Sequence, residues 1–84
     1  MTKYYIFLGQ DLNEDENCFL NQSTKANISI KENIYFIDSK YGNESAKTQF
    51  TKQEVELIRK RLKWLSIDDY NIVPVVDVDE YFGD

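Results

Sequence analysis

The sequence predicts an α+β fold: an antiparallel sheet of about five strands with one helix packed on a face, in the order ββββαβ. Three observations carry this prediction. Short β-branched and aromatic runs alternate with polar connections through the first half of the chain. One capped stretch of helical periodicity begins at Thr51. A last apolar run, Ile72 to Val78, follows it.

The run Lys3-Tyr4-Tyr5-Ile6-Phe7-Leu8 ends at Gly9 and reads as the first strand. Gln10 to Asn17 is polar and acidic, a loop, and Cys18-Phe19-Leu20 is the return strand of a hairpin, with Cys18 expected as a buried thiol. Ile28-Ser29-Ile30 alternates like a strand with one wet face, and Lys31-Glu32-Asn33 turns the chain into Ile34-Tyr35-Phe36-Ile37. Tyr41 to Glu44 is a further loop. Thr51 with Glu54 forms a capping box, and Phe50 with Val55 a hydrophobic staple. Val55, Ile58, Leu62 and Leu65 then form one apolar stripe, and Glu56 is placed to pair with Lys60. Asp68-Asp69 ends the helix. In the final strand, Asn71 to Val78, Pro74 cannot donate to a ladder and predicts a sheet edge. Val73, Val75, Asp77 and Asp79 then share one strand face, opposite Ile72, Val76 and Val78.

Eighty-four residues make one small domain, residues 1–84. A single cysteine excludes an internal disulfide, and the absence of histidine excludes Ser–His and Cys–His nucleophiles and imidazole metal ligation. No apolar run approaches the ~20 residues of a membrane span, and residues 1–20 lack a signal-peptide cleavage site, so the expected location is the cytoplasm, without membrane contact. The net charge of −5 is unevenly spread: residues 51–66 carry five bases and two acids, residues 67–84 six acids and no base. An acidic tail of this kind repels nucleic acid and attracts a basic protein surface.

Catalytic candidates are thin. Asp11-x-Asn13-x-Asp15 matches the start of a calcium loop, but Glu16 stands where the loop needs glycine and Gln22 where it needs a bidentate glutamate, so an acidic hairpin loop is the better reading. Asp77 and Asp79, with Glu80 next to them, resemble paired carboxylates, yet such a site needs a Lys, a Tyr or a third carboxylate converging on it and a pocket that so small a domain scarcely encloses. No catalytic residue, cofactor or metal is expected. The basic helix face (Lys52, Arg59, Lys60, Lys63) reads as a solvated surface rather than a nucleic-acid site.

The remaining candidates are interaction residues. Asp68, Asp69, Tyr70, Asp77, Asp79, Glu80, Tyr81 and Phe82 combine acids with aromatic anchors. On a strand, Asp77 and Asp79 lie ~6.6 Å apart, close to twice the ~3.4 Å spacing of phosphates along one DNA strand. The alternative partner surface is Leu57, Arg61 and Trp64 at the edge of the helix stripe, where the simpler reading is a broad core-facing surface with Arg61 snorkelling.

The opening Lys3-Tyr4-Tyr5-Ile6-Phe7-Leu8, the helix start Lys47-Thr48-Gln49-Phe50-Thr51-Lys52-Gln53-Glu54-Val55 and the acidic C-terminal segment give the chain a character. It resembles small acidic accessory proteins of phages and prophages of low-GC Gram-positive bacteria, among them anti-CRISPR and other anti-defence inhibitors. The excess of Lys, Asn, Ile and Tyr, residues with AT-rich codons, agrees with such a source. The resemblance implies a non-enzymatic inhibitor acting as a DNA mimic on a host nucleic-acid-binding protein or nuclease in the host cell cytoplasm. The alternative expectation is a small assembly module, monomeric or weakly dimeric, that pairs through its C-terminal edge strand.

Overall fold

A computed structural model describes residues 2–24 and 34–83. In chain order the elements are β1 (Tyr4–Ile6), β2 (Phe19–Ser23), β3 (Tyr35–Asp38), β4 (Ala46–Lys47), α1 (Lys52–Arg61), β5 (Ile72–Pro74) and α2 (Val75–Phe82). Two short 3-10 turns, Lys63–Leu65 and Asp69–Asn71, lie between α1 and β5. The expected strand at residues 28–30 and the turn at 31–33 lie outside the described residues.

The α+β class holds, but the single five-stranded sheet becomes two antiparallel sheets, β1-β5 and β3-β2-β4. The division follows from where the N–H groups of the first strand go. Tyr4 exchanges both backbone bonds with Phe50 at 2.8 Å, Phe7 donates to Asn71 O at 2.7 Å, and Leu8 donates to Cys18 O at 2.7 Å. The segment is shared among three neighbours, so no unbroken ladder runs through the described residues. Isolated bridges Tyr4–Phe50 and Phe7–Phe19 link the two sheets. β4, two residues long, was not expected.

The opening run is apolar on consecutive residues because both faces of β1 are covered. Ile6 faces a cluster with Leu20, Phe50, Val55, Ile58, Leu62 and Ile67, which is the α1 side. Tyr5 and Phe7 face Phe19 and Val78, with Phe82 packed beside them, which is the α2 side. Cys18 is half-buried at the margin of this second cluster rather than fully enclosed.

The predicted helix forms as α1, with both halves of its capping box in place: Glu54 N–H donates to Thr51 Oγ1 at 3.2 Å, and Thr51 N–H donates to Glu54 Oε1 at 2.9 Å. The staple residues Phe50 and Val55 are buried together. Leu62 closes the helix, and Ser66 adopts the left-handed conformation at φ 53°, so the helix stops before Asp68-Asp69. Glu56 reaches Arg59 at 3.7 Å, rather than the expected Lys60.

The largest correction concerns residues 75–82. The last strand ends at Pro74, and the chain turns into a second helix. Pro74 cannot extend the ladder, and its φ of −57° already suits the start of a helix. Asp77 occupies the first turn, where the helix dipole favours an acid, and Gly83, at φ 74°, closes the far end in the left-handed conformation. Three valines disfavour a helix by at most ~0.7 kcal/mol each. Burying Val78, which is 1% exposed, against Tyr5, Phe7 and Phe19 contributes ~1.5–3 kcal/mol. Together with the half-buried Val75 and Phe82 on the same side, burial outweighs propensity. The expected face sharing of Val73, Val75, Asp77 and Asp79 is therefore lost, and the C-terminal edge strand shrinks to three residues.

Candidate functional site

Two residues apart on a helix is a rotation of about 200°, so Asp77 and Asp79 point to opposite sides of α2. Asp77 is exposed with Val76, Glu80 and Tyr81. Asp79 turns inward, where its Oδ1 accepts from Lys40 Nζ at 3.0 Å and from Tyr5 Oη at 3.1 Å. The Lys40 side chain is 6% exposed and that of Asp79 33%. Gln49 Nε2 donates to Tyr5 Oη at 3.4 Å, and the Lys40 ammonium lies over the rings of Tyr41 and Phe82. Burial pushes the Tyr5 hydroxyl above its usual range, and its bond to the Asp79 carboxylate and that charge push it further. The spacing of alternate strand carboxylates against DNA phosphates does not survive this geometry. Nor do Asp77 and Asp79 converge as a metal-holding or acid–base pair.

The fold builds a different acidic face. The loop at residues 10–17, between β1 and β2, packs against α2: Asn13 Nδ2 donates to Tyr81 Oη at 2.6 Å. A cleft of about 290 Å³ lies between Glu16 and Asn17 of this loop, Lys40 and Tyr41, and Phe82 of α2. Asp11, Glu14 and Glu16 on the loop and Asp77 and Glu80 on the helix are all exposed. Asp15 holds the loop in shape: its Oδ2 accepts from Gln10 N–H at 2.7 Å and Asp11 N–H at 3.0 Å, and these two bonds lower its carboxyl below the usual range. Asp11 Oδ1 accepts from Asn13 N–H at 2.8 Å. The calcium-like spacing is thus read by the loop's own backbone. Gly9 is required at its base, because a Cβ there would sit 2.4 Å from Asp15 Cβ and 2.8 Å from the Phe7 ring.

Of the predicted acidic set, α2 gathers Asp77, Asp79, Glu80, Tyr81 and Phe82, with Asp79 and Phe82 facing inward. Phe82 meets Tyr81 edge-on at 5.2 Å. Asp68, Asp69 and Tyr70 lie on the 3-10 turn before β5 and face elsewhere. Asp69 pairs with Arg59 of α1 at 3.1 Å, Asp68 N–H donates to Asn71 Oδ1 at 2.8 Å, and Tyr70 is 77% exposed beside the Phe7–Gln10 segment. Sequence reasoning missed the loop acids as members of the face, as well as Lys40 and Tyr5. The contact between Asn13 and Tyr81 spans 68 positions and has no local signal.

The alternative set also divides. Trp64 is 78% exposed, against the expectation of a core-facing surface, and borders a cleft of about 210 Å³ with Tyr35, Ile37 and Leu65. Arg61 Nη1 donates to Tyr35 Oη at 3.5 Å. Leu57, 48% exposed, lies on a separate groove with Lys52, Glu56 and Lys60.

Comparison with protein-family models, with curated proteins and with solved structures finds no match to this chain. Among the described residues no helix is long and apolar enough to cross a membrane.

Proposed function

We propose that this chain is a non-enzymatic binding protein of the phage-inhibitor type, which covers the nucleic-acid site of a host protein in the host cytoplasm with an acidic face. The observation that supports it best is the Asn13–Tyr81 hydrogen bond, which joins the acidic loop to the acidic helix. Asp11, Glu14, Glu16, Asp77 and Glu80 then form one field around a half-exposed tyrosine. Such a field attracts a basic groove and steers its approach, and the aromatic ring supplies a rigid anchor of the kind that carries interface energy. The mimicry is of charge density over a surface rather than of phosphate spacing along a strand.

The test leaves Asp79 intact, since that carboxylate holds the fold. Wild type and a variant with Glu14→Gln, Glu16→Gln, Asp77→Asn and Glu80→Gln are used as baits in lysate of a low-GC Gram-positive host. Wild type is expected to enrich a nuclease or another DNA-binding protein, and the variant to lose it. Affinity of the purified pair should fall as salt rises, steeply for wild type and weakly for the variant. Equal affinity of both for the same partner across the salt series overturns the reading.

A further inference from the structure

Trp64 is the only tryptophan of the chain, and 78% of it is exposed. It borders an apolar cleft at β3, the outer strand of its sheet among the described residues, with Ile37 also 53% exposed. Two exposed bases adjoin this patch: Arg61, which donates to Tyr35 of the cleft at 3.5 Å, and Lys63, next to Trp64 in the 3-10 turn. Neither has an ion pair among the described residues, whereas Arg59 of the same helix is bound to Glu56 and Asp69. An exposed tryptophan with an arginine, beside the partly buried Tyr35, is the composition of an interface centre. The occupant it fits carries a small apolar side chain between carboxylates.

The chain itself presents such a segment. On the outward side of α2, Val76 is 69% exposed and stands beside Asp77 and, one turn on, Glu80. We infer that the outward face of α2 in one copy docks on the Trp64–Arg61–Lys63 patch of a second copy. Charge selects this arrangement. Two Trp64 patches facing each other set cations against cations, and two α2 faces set carboxylates against carboxylates. Only the head-to-tail contact is complementary. A contact of this kind leaves one free face at each end, so it extends beyond a dimer as concentration rises. The patches are small, which places the association in the weak, transient class.

This inference does not rest on the host-partner reading. It does assign part of the acidic face a second occupant, so a host partner would displace the neighbouring copy. The experiment uses the purified full chain alone, by sedimentation and by tryptophan emission, which in this chain reports only the patch. Weight-average mass is expected to rise past that of a dimer as concentration enters the millimolar range. Emission should shift to shorter wavelength in parallel, and both changes should reverse in molar salt. Trp64→Ala, and separately Asp77→Asn with Glu80→Gln, should each remain monomeric. Mixed in equal amounts, the two variants should form a pair that stops at the dimer, since each supplies the face that the other lacks. Arg61→Glu with Lys63→Glu gives an independent check and should also remain monomeric.

A wild type that stays monomeric to millimolar concentration overturns the inference and leaves the host-partner reading standing. Association that the mixed variants fail to restore, or that persists in molar salt, also overturns it, in favour of a symmetric apolar contact. An emission change on adding oligothymidylate to a monomeric wild type would reassign the patch to single-stranded nucleic acid. Conversely, acidic-face variants that lose self-association yet retain the host partner sink only the host-partner reading.

Discussion

Two aspartates separated by a single residue perform unlike work in this chain. Asp79 joins α2 to β1 and to the segment after β3, through Tyr5 and Lys40, while Asp77 faces solvent one side over. The difference is measurable. Asp79→Ala removes the acceptor of two hydrogen bonds, one of them from Lys40, whose side chain is 6% exposed. The expected cost is about 1–3 kcal/mol. In a domain of this size each kcal/mol lowers Tm by roughly 4–8 °C. Asp77→Ala should stay within about 0.5 kcal/mol of wild type. Paired urea melts of the two variants provide the check, and equal effects would mean that the two carboxylates share one environment, as they would on a strand. Asn21 shows the opposite economy. It is fully buried and its amide donates to the carbonyls of Phe19 and Ser39, while its Oδ1 faces Gly42, where the φ of 61° and the lack of a Cβ allow the close approach.

At the scale of elements, the two helices were unequally legible, and the reason is physical. α1 announces itself through local chemistry: a cap, a staple and an apolar stripe, all between Phe50 and Leu65. Its capping box also predicts a pH response. The Lys47 ammonium, and then the Thr51 N–H, hold the Glu54 carboxyl below its usual range. A carboxyl lowered on folding contributes stability that is present above its unfolded pKa, roughly 4.3, and lost as pH falls through the folded value. Glu54→Gln preserves the cap geometry but removes that charge. At pH 7 it should cost a few tenths of a kcal/mol, because the pair is a third exposed. As pH falls towards 3 the two proteins should converge in thermal stability. A gap that persists through the acid range would show that the pair with Lys47 contributes nothing. α2, by contrast, carries three β-branched residues in four and no side-chain cap, so its local signals favour a strand. The helical signs were present but weak: Val75, Val78 and Phe82 at spacings of three and four, with Pro74 before and Gly83 after. What settles the element is the surface formed by Tyr5, Phe7 and Phe19, and those residues lie more than fifty positions away. The same distance hid the acidic face, whose loop and helix halves meet only once α2 has folded onto β1.

For the whole molecule, the decisive feature is that β1 lies between two apolar clusters, one under each helix. A sheet with a single helix would leave one face to water. Here the second face is closed by α2. A domain of this length has a total stability on the order of 4–12 kcal/mol. Covering Tyr5, Phe7 and Phe19 and burying Val78 contributes several kcal/mol at about 25 cal/mol per Å² of apolar surface. The second helix therefore supplies a large share of the stability, and the acidic face is inseparable from the fold. A chain ending at Pro74 keeps α1, its cap and the five strands of the described residues, yet it exposes that cluster to water. Such a truncated chain should lose its cooperative thermal transition, bind a dye such as ANS and keep much of its far-UV signal. A sharp transition within a few degrees of wild type would mean that α2 rests on a domain stable without it, in which case its acids are an appendage to the core rather than part of it.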